Sequence, residues 1–353
     1  MDVEWTAQKL DVESLPEGKS FGNINLFTNA SGKAVGVPII AIKGQSGPTI
    51  GITSALHGNE LNGVPVTHML GSLIDSKTLK GTIIMVPVAN LPGFEVSQRK
   101  FIDGVDLNRI MPGQSNGTPS DVYAYRLFNR IITQFDCLLD LHTASFGRIN
   151  SHYIRADITN PHIRKLAELM NAQIIVNSKL PLKSLRNAAM TRGIACITIE
   201  LGNPSVIQEN MVLRGIEGIK NVLSFYEMIP DPIIPPSIPP VICQSSYWLR
   251  TSLGGILNVT PKLATSIKKG DNIATLKNLH GKVLKEYKSP EDAIVVGKSI
   301  NPVVITGGRI IHIGIIGDVE FSDEPQELIV IDHSKHEEED DYYFDDDDDD
   351  SDL

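Results

Sequence analysis

The chain has 353 residues, room for two domains and a sizeable core, and 41% of them are hydrophobic. With a mean hydropathy of −0.03, that composition excludes a membrane-embedded or wholly disordered chain. The net charge of −10 comes from one end: residues 333–353 carry 12 acids and one lysine, leaving 30 acids and 31 bases elsewhere and no basic block of the kind that nucleic-acid binding needs.

Along the first 230 residues, apolar runs at 49–55 (TIGITSA), 81–89 (GTIIMVPVA), 137–141 (CLLDL), 173–176 (QIIV) and 195–199 (ACITI) are hydrophobic on consecutive positions, as in strands buried on both faces. Helical stretches at 64–79, 120–134, 161–170 and 208–228 separate them. This alternation predicts an α/β domain over residues 1–228, a mixed, largely parallel sheet flanked by helices. Residues 229–240 (IPDPIIPPSIPP) hold six prolines in twelve positions, which neither a helix nor a central strand tolerates, so they predict an extended linker. From 241 to 332, short strand-like pieces recur between Gly, Pro, Asn and Asp, as in a small all-β barrel or sandwich domain. Residues 333–353 form a low-complexity acidic tail expected to be disordered.

Cys137, Cys196 and Cys243 are scattered and odd in number, which supports neither a disulfide framework nor a zinc knuckle. The acidic N-terminus lacks the apolar stretch of a secretory signal. No run approaches the roughly 18 apolar residues of a membrane span. The expected location is the cytoplasm, with no membrane or nucleic-acid partner.

His57-Gly58-Asn59-Glu60 follows the first apolar run. An HxxE pair sets imidazole and carboxylate at i and i+3, where they face one another in a tight turn, and both are zinc-competent. Alone the pair is weak, and a polar loop explains it as well. Position strengthens it. Asp140-Leu141-His142 ends the third run and Glu200 closes the fifth, and open α/β sheets bind ligands outside the carboxyl ends of their strands. A Glu at the end of an apolar strand is expensive to bury unless it is paired or at work. Two His, one Glu and a further unligated Glu match a catalytic zinc: three protein ligands, one open position for water, and a carboxylate base.

Between these strands lie Arg99 and the segment 103–109 (DGVDLNR). A surface loop with a helix cap is the plain reading. Yet the guanidinium of Arg109 beside the amide of Asn108 suits the grip of a carboxylate, and Asp106 could orient a zinc-bound imidazole. His68, His152, His162, His280 and His312 read as ordinary helix, loop, turn or strand residues, and the cysteines as small buried hydrophobes.

HGNE, DGVDLNR, DLHTAS and ITIELG, in that order, resemble the succinylglutamate desuccinylase/aspartoacylase family of zinc hydrolases, relatives of the zinc carboxypeptidases. The resemblance runs from about residue 44 to 204. It continues through GGI (254–256), LHGKVLKEYKSPEDAIVVG and IIHIG into the family's small barrel-like C-terminal domain. It implies a zinc-carboxypeptidase-like α/β fold and one Zn²⁺ per chain on His57, Glu60 and His142, with Glu200 as general base. It further implies that Arg99 polarises the scissile carbonyl, that Asn108 and Arg109 hold a substrate carboxylate, and that Asp106 is hydrogen-bonded to a ligating histidine. The segment 184–186 (SLR) resembles one whose arginine reaches substrate in some members, which points to Arg186, although Arg192 lies nearby. The implied reaction is hydrolysis of an N-acyl amino acid or a similar small anionic amide. A peptide-cleaving zinc carboxypeptidase and a non-catalytic metal-binding adaptor are the alternatives, and a homo-oligomer stays open.

Overall fold

The computed structural model describes residues 3–179 and 181–321; the acidic tail, and the expectation of disorder attached to it, lie outside them. The chain begins with β1 (Val3–Ala7), β2 (Gly18–Thr28), β3 (Ala34–Lys43) and β4 (Gln45–Ser54). There follow α1 (Gly63–Leu73), β5 (Lys80–Val86), α2 (Leu91–Glu95), α3 (Pro119–Arg130), β6 (Cys137–His142), β7 (Arg148–Asn150) and β8 (His152–Ala156). Next come α4 (Pro161–Leu169), β9 (Ile174–Asn177), α5 (Leu185–Thr191), β10 (Ala195–Leu201) and α6 (Glu209–Phe225). After the proline-rich stretch come β11 (Val241–Arg250), β12 (Gly255–Val259), β13 (Ser266–Ile267) and β14 (Asn272–Lys277), then β15 (Val283–Lys288), β16 (Ala293–Ser299), β17 (Val303–Val304) and β18 (Arg309–Ile316).

Fourteen strands join one sheet in the order β1-β2-β3-β5-β4-β6-β10-β8-β9-β11-β18-β16-β13, with β7 added on β16. Its centre is parallel, β5, β4, β6 and β10 running together and β8, β9 and β11 together, while β10 and β8 meet antiparallel. The expected mixed, largely parallel sheet is therefore what forms, and a separate four-stranded antiparallel sheet, β15-β14-β12-β17, stands beside it. The strands after residue 240 divide between the two: β11, β13, β16 and β18 extend the large sheet, so the C-terminal region is bonded directly to the strands that precede it.

Consecutive apolar residues on β6 serve both faces of the sheet. Cys137, Leu139 and Leu141 pack in the cluster that holds Val66 of α1, Leu166 of α4 and Ile219 of α6. Leu138 points the other way, among Tyr123 and Leu127 of α3 and Leu185 of α5. Two layers of helix thus cover the central strands and leave the strand ends free to build a site. The proline-rich stretch is pinned by buried Asn221, whose side chain accepts from Ile234 N at 2.8 Å and donates to Ile234 O at 2.9 Å. It is held as an extended segment would be held by a neighbouring strand.

Two differences from the sequence reading have local causes. The helix expected over 64–79 ends at Leu73, because Ile74 turns extended (φ −81°, ψ 127°) and the Asp75 carboxylate takes Lys77 N at 3.0 Å in a turn of its own. Of the strands before residue 44, β3 does carry an apolar run, residues 37–42, which the sequence reading passed over, whereas β2 carries none. β2 alternates, its Ser20, Gly22, Ile24 and Leu26 turning inward, so period-two patterning was its signal.

His152, read as a loop residue, opens β8 and is fully buried with neither ring nitrogen hydrogen-bonded. Burial first, and then the charge of Arg214, push its pKa from 6.5 down to about 3. The unfolded chain takes up this proton near pH 6.5 while the folded chain refuses it until about 3. Stability present above pH 6.5 is therefore lost as pH falls through that window, by about 1.4 kcal/mol per pH unit. In His152→Gln the drop in unfolding free energy between pH 7 and pH 5 should shrink by about 2 kcal/mol, measured by urea denaturation at both pH values.

Candidate active site

The first apolar run ends at Ser54, and Ala55, at φ +49°, turns the chain away from the sheet. His57 and Glu60 sit in the tight turn that follows, closed by Glu60 N donating to His57 O at 3.0 Å. Gly58 is required there: a Cβ would lie 2.1 Å from the carbonyl carbon of Gly93, so only glycine lets the turn rest on α2. Asn62 ties this turn to the one after β10, donating to Leu201 O at 2.6 Å and accepting from Gln208 N at 2.7 Å. The ends of β4 and β10 are thereby fixed relative to one another. On β6, His142 lies in register with Glu200 of the parallel strand β10.

His57 Nδ1 lies 2.9 Å from Glu60 Oε1, His142 Nδ1 lies 2.9 Å from Glu60 Oε2, and the two Nδ1 atoms are 3.2 Å apart. All three side chains are buried. Each imidazole is gripped from behind, His57 Nε2 by Asp106 Oδ1 at 3.1 Å and His142 Nε2 by Asp140 Oδ2 at 2.7 Å. Asp140 is held in turn by Thr53 Oγ1 at 2.7 Å. With the ring protons drawn to these carboxylates, the two Nδ1 lone pairs face each other beside a third anionic oxygen. That arrangement repels itself unless a cation lies between, and two imidazoles with one carboxylate are a zinc-type donor set. Within the described residues, His57, Glu60 and His142 are the group able to hold a metal.

The electrostatics point the same way. Burial works against a charged His142, but Asp140 and Glu60 outweigh it and hold its pKa well above the ordinary value. Burial likewise works against ionised Glu60, yet the two histidines keep its carboxyl below the usual range. The centre favours positive charge, which a proton supplies in the metal-free protein and which a metal ion would have to displace.

Glu200 is buried beside this group, its Oε2 accepting from Asn150 Nδ2 at 3.1 Å and its Oε1 lying 3.8 Å from Arg155 Nε. Burial pushes its carboxyl above the usual range although Arg155 and His142 pull the other way. Arg99 donates through Nη1 to Glu60 Oε1 at 3.1 Å and to Ser145 Oγ, and through Nε to Asp106 Oδ2 at 2.9 Å. His57, Glu60, Arg99, His142, Asn150, Arg155 and Glu200 open into a cavity of about 710 Å³ whose walls carry seven arginines and one lysine against two carboxylates, Glu60 and Glu200.

A family model, the succinylglutamate desuccinylase/aspartoacylase catalytic domain, matches residues 46–226, just over half of the chain. The chain belongs to this family. It is 23% identical over 290 residues to the N-alpha-acetyl-L-2,4-diaminobutyric acid deacetylase of Halomonas elongata, a match that covers 78% of this chain and 85% of that one. Among solved structures, a succinylglutamate desuccinylase/aspartoacylase from Rhodobacter sphaeroides shares the fold with a TM-score of 0.78 at 23% identity, over 87% of this chain and 98% of that one. The product-bound ectoine utilization protein EutE (DoeB) from Ruegeria pomeroyi does so with a TM-score of 0.78 at 21% identity, over 86% and 98%.

In this family member the residues singled out from the sequence meet in one cavity: His57, Glu60, Arg99, Asn108, Arg109, His142, Arg186 and Glu200 all line it. Asp106 stands just behind, N-capping the short turn 107–109. Asn108 Oδ1 accepts from Leu185 N at 2.8 Å, which leaves its amide NH₂ as the group free to meet a ligand. Arg109 is exposed, 3.7 Å from Asp106 Oδ2. Of the two arginines left open, Arg186 faces the cavity while Arg192 sits exposed at the end of α5. Arg186 spends its donors on Ser178 O, Ser178 Oγ and Lys179 O, at 3.0–3.3 Å, and so holds the loop that forms this wall.

Sequence reasoning passed over Asp140, Asn150 and Arg155. Asp140 had a signal: two positions before His142 on a strand, it shares that residue's face. Arg155 had none, since it reaches Glu200 only because β8 lies antiparallel to β10, and Asn150 had none either, since it ends β7, a strand that pairs with β16. His312, read as a plain strand residue, is indeed on β18 but lines the cavity, with Nε2 2.9 Å from Ser246 Oγ. Among the described residues no helix is long and apolar enough to cross a membrane.

Proposed function

We propose that this protein is a zinc-dependent amide hydrolase that removes the acyl group from a small anionic N-acyl amino acid. The observation that carries the reading is the pair of imidazoles aimed with Glu60 at one point, each backed by a carboxylate, beside a buried and unligated Glu200. Membership of the family and the deacetylase named for Halomonas elongata support amide cleavage.

His57 Nδ1, His142 Nδ1 and Glu60 would hold the ion, which when bound supplies Lewis acidity and lowers the pKa of the attacking water. Glu200, oriented by Asn150 and Arg155, accepts the proton from that water as its oxygen bonds to the amide carbon. Arg99 presents its guanidinium to the developing oxyanion, steadied by Asp106. When the C–N bond breaks, Glu200 returns the proton to the leaving nitrogen, and carboxylic acid and amine depart. Asn108 and Arg109 anchor the substrate carboxylate, so that the scissile amide is presented in one orientation.

The test is release of free amine from a panel of N-acyl amino acids and short peptides by zinc-loaded protein. Acyl amino acids should be cleaved and a chelator should abolish the cleavage. Preference for peptides would move the protein to the carboxypeptidase reaction. No amine release with the metal site filled would end the enzymatic reading.

A further inference from the structure

Asn150 reaches Glu200 from a strand that the C-terminal region holds in place. β7 is three residues long and pairs antiparallel with β16, Asn150 standing opposite Gly297 and Arg148 opposite Ser299. Just before Gly297 the β16–β18 ladder slips between Val295 and Gly297, which leaves Val296 as the extra residue of a bulge. Val296 O accepts from Ser151 N at 3.0 Å and from Ser151 Oγ at 2.9 Å. The backbone on both sides of Asn150 is therefore tied to β16.

The space opposite Asn150 is as specific as the backbone. Gly297 is buried and its φ is not positive, so the conformation of the chain does not call for glycine there. The Asn150 amide does: a Cβ on residue 297 would lie 2.4 Å from Asn150 Oδ1, and the next atom, Ile149 O, would be 3.1 Å away. The second contact eases with a small shift, but the first is closer than carbon and oxygen approach. With Oδ1 seated in that space, Nδ2 is turned to Glu200 Oε2, to which it donates at 3.1 Å. Arg155 Nε lies 3.8 Å from the other oxygen, Oε1, so the Asn150 contact is the shorter of these two holds on the carboxylate.

We infer that Gly297 is a positioning residue for Glu200, acting through Asn150, so that the C-terminal strands of the large sheet set the orientation of the candidate base. This rests on the amide-hydrolase reading and deepens it. A Cβ at 297 is relieved most easily by rotation of the Asn150 amide, the far end of a side chain, and that rotation takes Nδ2 off Glu200. The terminal torsion of a glutamate is broad, so the released carboxylate turns and presents itself to the attacking water in the productive plane for only part of the time. Gly297 thus bears on the reaction without touching substrate.

One arm of the experiment is steady-state kinetics of the zinc-loaded full chain on the acyl amino acid that it cleaves fastest. Gly297→Ala should lower kcat by about tenfold or more, with KM and zinc content unchanged, and Asn150→Ala should do the same. Adding Gly297→Ala to Asn150→Ala should cost less than about a further twofold, because the atom that the Cβ meets is gone. Losses that multiply in the double variant would make Gly297 a packing residue and overturn the proposal. A Gly297→Ala chain that folds only together with Asn150→Ala would support it, and one that folds in neither background would refute it. The other arm needs neither metal nor turnover: it follows the side-chain amide signal of Asn150 in nitrogen–proton NMR spectra, assigned by its loss in Asn150→Ala. Glu200→Gln should move that signal in the native background and leave it in place in Gly297→Ala. Equal movement in both backgrounds would sink the positioning role. The expected pattern in a chain that cleaves no amide would overturn only the hydrolase reading.

Discussion

Glu200→Gln is expected to lower turnover by about 10²–10⁴-fold, the usual worth of a positioned base, while zinc content stays at one per chain. Glutamine keeps the shape of the side chain and can still receive Asn150 Nδ2, which lies 3.1 Å from Oε2; what it loses is the ability to take a proton. Glu60→Gln should behave differently. Glu60 lies 2.9 Å from both Nδ1 atoms and also accepts from Thr143 N at 3.1 Å, so the change removes an anionic ligand, and activity should return in part when excess zinc is added. Metal analysis beside steady-state kinetics separates the two. Equal metal loss in both variants, or near-normal turnover by Glu200→Gln, would mean that base and ligand are wrongly assigned.

The contrast between these two glutamates was legible in the sequence because of where they stand. Glu60 follows a histidine at a turn-forming spacing, whereas Glu200 stands near the end of a strand whose other residues, Thr198 apart, are apolar on both faces. Strands buried on both sides announce themselves as unbroken apolar runs, so β4, β6 and β10 and the polar residues at their ends could be read directly. The groups that orient Glu200 could not. Asn150 and Arg155 follow no motif: Arg155 approaches through the β8–β10 pairing and Asn150 from β7, which pairs with β16, long-range registers that local patterning does not encode.

The outer wall of the cavity was illegible for the same reason. Residues after 240 carry ordinary strand signals, and these say nothing about which sheet a strand will join. The parallel pairing of β11 with β9, Val241 to Ile174 through Cys243 to Val176, brings Trp248, and with it Arg309 of β18, into the site.

The largest effect on metal affinity is expected from the imidazoles. The native chain should bind one zinc, and His57→Ala or His142→Ala should reduce it to background. With either ring gone, one imidazole and one carboxylate remain, fewer than the three protein ligands of a catalytic zinc. Asp140→Asn tests the layer behind them. Thr53 Oγ1 holds Asp140 at 2.7 Å and Asp140 holds His142 Nε2 at 2.7 Å, so the carboxylate fixes the ring proton on Nε2 and turns the Nδ1 lone pair inward. An amide there can present its NH₂ to Nε2 and draw the proton to Nδ1, the wrong atom for a ligand. Loss of such a carboxylate weakens metal binding by about 10–100-fold, and competition against a chromophoric zinc chelator will measure it. Undiminished zinc in both alanine variants would remove the metal centre from this site, while unchanged affinity in Asp140→Asn would leave the centre and remove only the role given to Asp140.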